Sequence, residues 1–93
     1  MTSLVNDSET NTSILEVVTP DRPGLLAHLA SIFLRYGLNL YNAKMTTLGE
    51  RVEDTFYLTD YNHESLTDVG FGENLQQTIC NELDSRNIPD KQD

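Results

Sequence analysis

The stretch SILEVVTPDRPGLLAHLASIFLRYGLNL, Ser13 to Leu40, decides the fold. Its first seven residues, Ser13 to Thr19, are apolar and β-branched, and Pro20 closes them, which predicts a strand. Ile14 and Val18 point one way, Leu15 and Val17 the other. Apolar residues on both sides predict an interior strand covered on two faces, although Glu16 keeps the Ile14 side from being wholly dry. Pro20-Asp21-Arg22-Pro23-Gly24 then turns the chain. Asp is a preferred helix cap, and Pro23 suits a first helical turn, where a backbone N–H lacks a partner in any case. Leu25, Leu29, Ile32, Phe33 and Tyr36 follow at helical spacing, with Leu26 beside them. Gly37 stands where a left-handed C-cap ends such a helix.

Toward the C-terminus, Leu38 to Leu48 (LNLYNAKMTTL) has strand propensity and Gly49-Glu50 marks a turn. Arg51 to Asp60 (RVEDTFYLTD) alternates: Val52, Phe56 and Leu58 share one face with Asp54 among them, and Glu53, Thr55, Tyr57 and Thr59 form the other. The two segments predict an antiparallel hairpin. Tyr61 to Gly72 reads as a loop. Glu73 to Ser85 carries Leu75, Ile79 and Leu83 on one stripe, which predicts a second helix. Toward the N-terminus, Met1 to Thr12 is polar and offers only Leu4 and Val5 for burial. The expected division is a tail or linker over 1–12, a domain over 13–85 and a frayed C-terminus over 86–93. The order β-α-β-β-α predicts an α+β, ferredoxin-like βαββα(β) sandwich. Its antiparallel sheet carries two helices on one face, and its last strand is short or missing. An uncovered sheet face and an unpaired edge both invite another chain, so a homodimer is expected.

At 93 residues the chain is one domain, and a domain of this size buries only ~60% of the surface its unfolded chain exposes. Six Lys+Arg stand against fifteen Asp+Glu, a formal charge of −9. That balance argues against nucleic acid and against an anionic membrane surface, both of which are held by basic residues. Cys80 is the single cysteine, so no internal disulfide or multi-cysteine metal site is expected, and a reducing cytoplasm fits. The sequence holds no run of about 18 apolar residues, and Met1 to Asn11 lacks the pattern of a secretory signal.

No reaction is legible. His28 falls in the first helix and His63 in a polar loop, and Cys80 sits mid-helix without a companion base. There is no GxxxxGK[ST], no GxGxxG after a strand and no HExxH. No catalytic residue, metal or cofactor is therefore expected. Other tasks of ferredoxin-like domains fare no better. RVEDTFYLTD is too acidic for an RNA-binding strand, the first loop lacks the CxxC of a metal carrier, and Arg22 alone does not make a phosphate cradle.

The first strand–helix junction is the better candidate. A helix start presents unpaired N–H groups and a partial positive charge, which suits a carboxylate. Gly24 lets a ligand approach the backbone. Asn39 and Asn42 offer amide donors and acceptors for both ends of a zwitterion, and Asp21 a carboxylate for an ammonium. The same residues also read as a plain turn, in which Asp21 caps the helix while Pro23 and Gly24 shape the bend.

Thr19 to Leu26 (TPDRPGLL), followed by Ile32 to Leu40 (IFLRYGLNL), resembles the ACT domain, a small-molecule regulatory module. Asn42 to Asp60 (NAKMTTLGERVEDTFYLTD) is similar to the C-terminal ACT domains of the uridylyltransferase/uridylyl-removing enzymes, and Val5-Asn6-Asp7 to a short polar strand that precedes them. The likeness runs from about Ile14 to Leu83. It implies a glutamine-sensing domain in nitrogen regulation, whose ligand sits where ACT domains pair. The ligand-facing set carried over is Asp21, Arg22, Gly24 and Leu25 from the loop and Asn39, Leu40, Tyr41 and Asn42 from the next strand. It further implies pairing with another ACT domain, and docking on catalytic domains that hold the nucleotidyltransferase and hydrolase sites. A ligand-free dimerisation or docking module is the alternative. ACT domains usually end in a fourth strand, for which this chain offers only Ile88, so the domain either ends short or borrows a strand.

Overall fold

The computed structural model describes residues 1–83; residues 84–93, and with them the end expected to fray at 86–93, lie outside the described residues. The elements are β1 (Thr2–Asp7), β2 (Thr12–Pro20), α1 (Leu25–Arg35), β3 (Asn39–Leu48), β4 (Arg51–Thr59) and α2 (Val69–Leu83). The four strands form one antiparallel sheet in the order β1-β2-β4-β3. The α+β sandwich is the one expected, with one change at its edge.

That change is β1. The segment expected to be a tail pairs along its length with β2, with Thr2 opposite Val17, Leu4 opposite Leu15 and Asn6 opposite Ser13. It takes the place beside the first strand of the βαββα unit, so the edge where such a fold would set its last strand is occupied by β1. Alternation explains why composition hides it. Of Thr2, Leu4 and Asn6, which share the helix-facing side with Leu15 and Val17, only Leu4 is apolar. The Asn6 amide instead donates to the Leu66 carbonyl (3.1 Å) and accepts from the Ser13 hydroxyl (2.6 Å). Ser13 in turn accepts the Leu66 N–H at 2.7 Å. The buried Ser13 hydroxyl and Leu66 N–H satisfy each other, with the exposed Asn6 amide closing the network from the edge.

The core lies between the sheet and its two helices. Leu15, Val17, Val52, Phe56 and Leu58 meet Leu25, Leu29, Ile32 and Phe33 of α1 and Leu75 and Ile79 of α2. The Phe33 and Phe56 rings pack edge to face at 5.1 Å between centroids, a favoured aromatic geometry. Among the described residues nothing covers the second face of β2: Ile14 and Val18 are half-buried there and Glu16 is exposed. Helix α1 ends as its sequence predicts. Gly37 takes φ 69°, and the N–H groups of Gly37 and Leu38 return to the carbonyls of Leu34 and Phe33 at 3.1 and 3.0 Å. Helix α2 starts four residues before the expected Glu73. Asp68 caps it by accepting the Phe71 N–H at 3.1 Å, so Gly70-Phe71-Gly72 is helix and not loop. A Cβ at Gly72 would stand 2.9 Å from Leu4 Cδ2, so a glycine there lets α2 settle onto β1.

Candidate functional site

Helix α1 begins without a side-chain cap. Its N-cap is Gly24, at φ 75° and ψ 8°, a left-handed conformation that favours glycine. Asp21 does not cap it; its N–H donates to the Glu50 carbonyl at 3.0 Å, tying the loop to the β3–β4 turn. The first-turn N–H groups thus lack the side-chain acceptor that Asp21 was expected to supply. A Cβ at Gly24 would meet nothing within 4 Å, so the space over this helix start is open.

That space belongs to a cavity of about 370 Å³, within the range of small-molecule sites. Asp21, Arg22, Gly24 and Leu25, the loop half of the expected set, line one side. Met45 and Thr47 of β3 and Val52 and Asp54 of β4 line the other. Strand pairing sets this arrangement: Pro20 at the end of β2 lies opposite Arg51, and Arg51 opposite Leu48, so the start of α1 stands over the end of β3.

The strand half of the expected set therefore lies elsewhere. Asn39, Leu40, Tyr41 and Asn42 occupy the start of β3, and at strand rise Asn42 is roughly 17 Å from Thr47. Asn39 donates to the Asp60 carbonyl (3.1 Å), and Asn42 accepts the N–H of Ala43 (2.9 Å) beside a bulge at Tyr41. Tyr41 meets the His63 ring, and Leu40 is exposed at the edge. Within one chain these four do not reach the loop.

Asp54 is the site residue that sequence reading passed over. It is only 3% exposed, it lines the cavity, and none of the described residues donates a hydrogen bond to its carboxylate. Burial pushes its carboxyl above the ordinary carboxylate range, and the Asp21 carboxylate pushes it the same way. Arg22 does not neutralise it. Its guanidinium donates to His28 Nδ1 at 3.0 Å. A guanidinium only donates, so His28 carries its ring proton on Nε2 and gives it to Glu82 Oε1 at 2.7 Å. Arg35 pairs with the same carboxylate at 2.7 Å, and Arg35 first and His28 second hold the Glu82 carboxyl below its usual range. The loop is in this way tied through α1 to α2.

A second cavity, about 300 Å³, lies between β2 and α2, but no charged side chain among the described residues lines it. Among the described residues no cluster of His, Cys, Asp and Glu could hold a metal ion, and no helix is long and apolar enough to cross a membrane.

Fold and cavity together define a small α+β domain of the split-βαβ kind with room for one metabolite at a helix start. No family model matches the chain. Curated relatives do, among them three of one name. The chain is 53% identical over 78 residues to the bifunctional uridylyltransferase/uridylyl-removing enzyme of Ectopseudomonas mendocina, covering 84% of this chain and 9% of that protein. It is 46% identical over 84 residues to the enzyme of that name from Pseudomonas syringae pv. tomato, covering 90% and 9%. With one from Pseudomonas putida it shares 44% over 88 residues, covering 95% and 10%. The chain thus spans about a tenth of the length of the curated relatives it matches.

Proposed function

We propose that this chain is an ACT-type regulatory domain of a uridylyltransferase/uridylyl-removing enzyme and that it binds an amino acid, glutamine, in the cavity at the start of α1. The observation that carries this reading is the open space over Gly24, lined by all four of the loop residues expected there. The ligand's α-carboxylate would lie on the helix N–H groups, where dipole and unpaired donors favour an anion. Asn39 to Asn42 would join only from a second copy, since in their own chain they stand at the far end of β3. Ligand binding would then favour one way of pairing, and a preference of ~1–3 kcal/mol changes an affinity roughly 5- to 150-fold. The transfer and hydrolysis reactions would belong to other domains of the parent enzyme.

Calorimetric titration of glutamine into the 93-residue chain tests this, with saturable binding expected. Gly24→Asp places a carboxylate against the ligand's own and should abolish binding, whereas Gly24→Asn, which tolerates the same backbone without the charge, should keep most of it. A folded chain that stays silent at millimolar glutamine refutes the reading. The ligand-free docking module remains the second reading, favoured by the exposed Leu40, Tyr41, Met45 and Leu48 along β3. It predicts that Gly24→Asp alters assembly and no ligand response.

A further inference from the structure

We propose that Asp54 is the counter-ion for the ligand's ammonium group, which makes the cavity selective for α-amino acids over their deaminated counterparts. This rests on the reading of the cavity as an amino-acid site. Asp54 lies on the helix-facing side of β4, two residues from Val52 and from Phe56, with Val17 of β2 and Met45 of β3 as its strand partners. None of these four side chains can donate a hydrogen bond. A carboxylate buried to this degree without a donor is costly, and folded chains rarely keep one unless something outside the chain supplies the partner. The charged groups that line the same cavity do not supply it. Asp21 repels, and Arg22 has turned its guanidinium to His28.

The cavity therefore has two unlike ends. Its mouth at Gly24 presents backbone donors, and its inner wall presents a carboxylate to which no described residue donates. A ligand with a carboxylate and an ammonium on neighbouring atoms satisfies both ends at once; a ligand with only the carboxylate leaves Asp54 as it was. The sequence-based assignment of the ammonium to Asp21 is the weaker one, because Asp21 is exposed and a pair formed there is screened by solvent.

The test compares L-glutamine with 4-carbamoylbutanoate, which keeps the carboxylate and the terminal amide but has no ammonium. Both are titrated into the wild-type chain and Asp54→Asn, and melting temperatures are recorded alongside. Wild type should favour glutamine by at least about tenfold, the weight of one charge-assisted hydrogen bond. Asp54→Asn should lose that preference through weaker glutamine binding alone, with 4-carbamoylbutanoate unchanged and the melting temperature equal or higher. Equal glutamine binding by both proteins overturns the assignment and leaves sensing intact. Loss of both ligands with a lower melting temperature also overturns it, as a structural role. If wild type ignores glutamine but binds another of the twenty amino acids through Asp54, the assignment stands and glutamine falls. Silence toward all twenty overturns both.

Discussion

The contact between Leu4 and Gly72 measures whether the chain's start belongs to the fold. Leu4 is half-buried against the core, and a fully buried Leu→Ala change costs about 2–5 kcal/mol, so Leu4→Ala should cost roughly half of that, about 1–2.5 kcal/mol. Gly72→Ala carries two opposed effects. Alanine is better than glycine inside a helix by up to about 1 kcal/mol. Its Cβ, however, would stand 2.9 Å from Leu4 Cδ2, and overpacking of this kind costs about 1–3 kcal/mol, at the low end here because a side-chain tip can yield. Gly72→Ala alone should thus fall between neutral and about 1 kcal/mol destabilising. In the Leu4→Ala background the obstruction is gone, and the same change should stabilise by up to about 1 kcal/mol. The double-mutant cycle should therefore show a favourable coupling near 1 kcal/mol, above the ~0.3–0.5 kcal/mol within which independent sites add. Urea denaturation of the four proteins measures it. If Leu4→Ala is neutral and Gly72→Ala stabilises equally in both backgrounds, β1 does not lie under α2 and residues 1–12 are a tail after all.

Ser13→Ala removes the acceptor of the Leu66 N–H and a donor to Asn6, and should cost about 1–3 kcal/mol in the same assay. Gly24→Ala meets no atom but must hold φ 75°, so it should cost about 1–2 kcal/mol, and Gly24→Asn visibly less; thermal melts rank them. The stability linked to Asp54, whose carboxyl is raised by burial and then by Asp21, is present below the unfolded carboxylate range and is lost as pH rises through its raised value. Asp54→Asn should therefore gain on wild type as pH climbs through that window, and a gap that stays flat or closes on the way up would contradict it. Glu82 behaves oppositely. Held low by Arg35 and His28, it contributes stability above the ordinary carboxylate range that is lost as pH falls, so Glu82→Gln should flatten the acid limb of the stability curve.

What could be read in advance followed the range of the interactions involved. The periodicity of Leu25, Leu29, Ile32 and Phe33 and the glycine that ends α1 are local signals, and both survive in the structure. The loop half of the candidate site is local too, since Asp21 to Leu25 are contiguous and line one cavity. Its strand half depends on which end of β3 faces that loop, a matter of pairing between β2, β4 and β3. The hairpin at Gly49-Glu50 contained the clue. Once β4 is antiparallel to β2, the residues beside that turn, Thr47 and Val52, must approach the end of β2, and Asn39 to Asn42 must lie at the opposite end. β1 was hidden because an edge strand with one apolar residue on its inner side has the composition of a linker; only its register with β2 separates the two. Asp54 presents the reverse difficulty. Its place within the Val52–Phe56–Leu58 alternation was plain, yet a carboxylate there reads equally as a solvated strand end, a salt-bridge partner or an internal counter-ion. Burial excludes the first, and no donor for the second stands among the described residues. Those two facts are properties of the packed domain, which no spacing of residues along the chain contains.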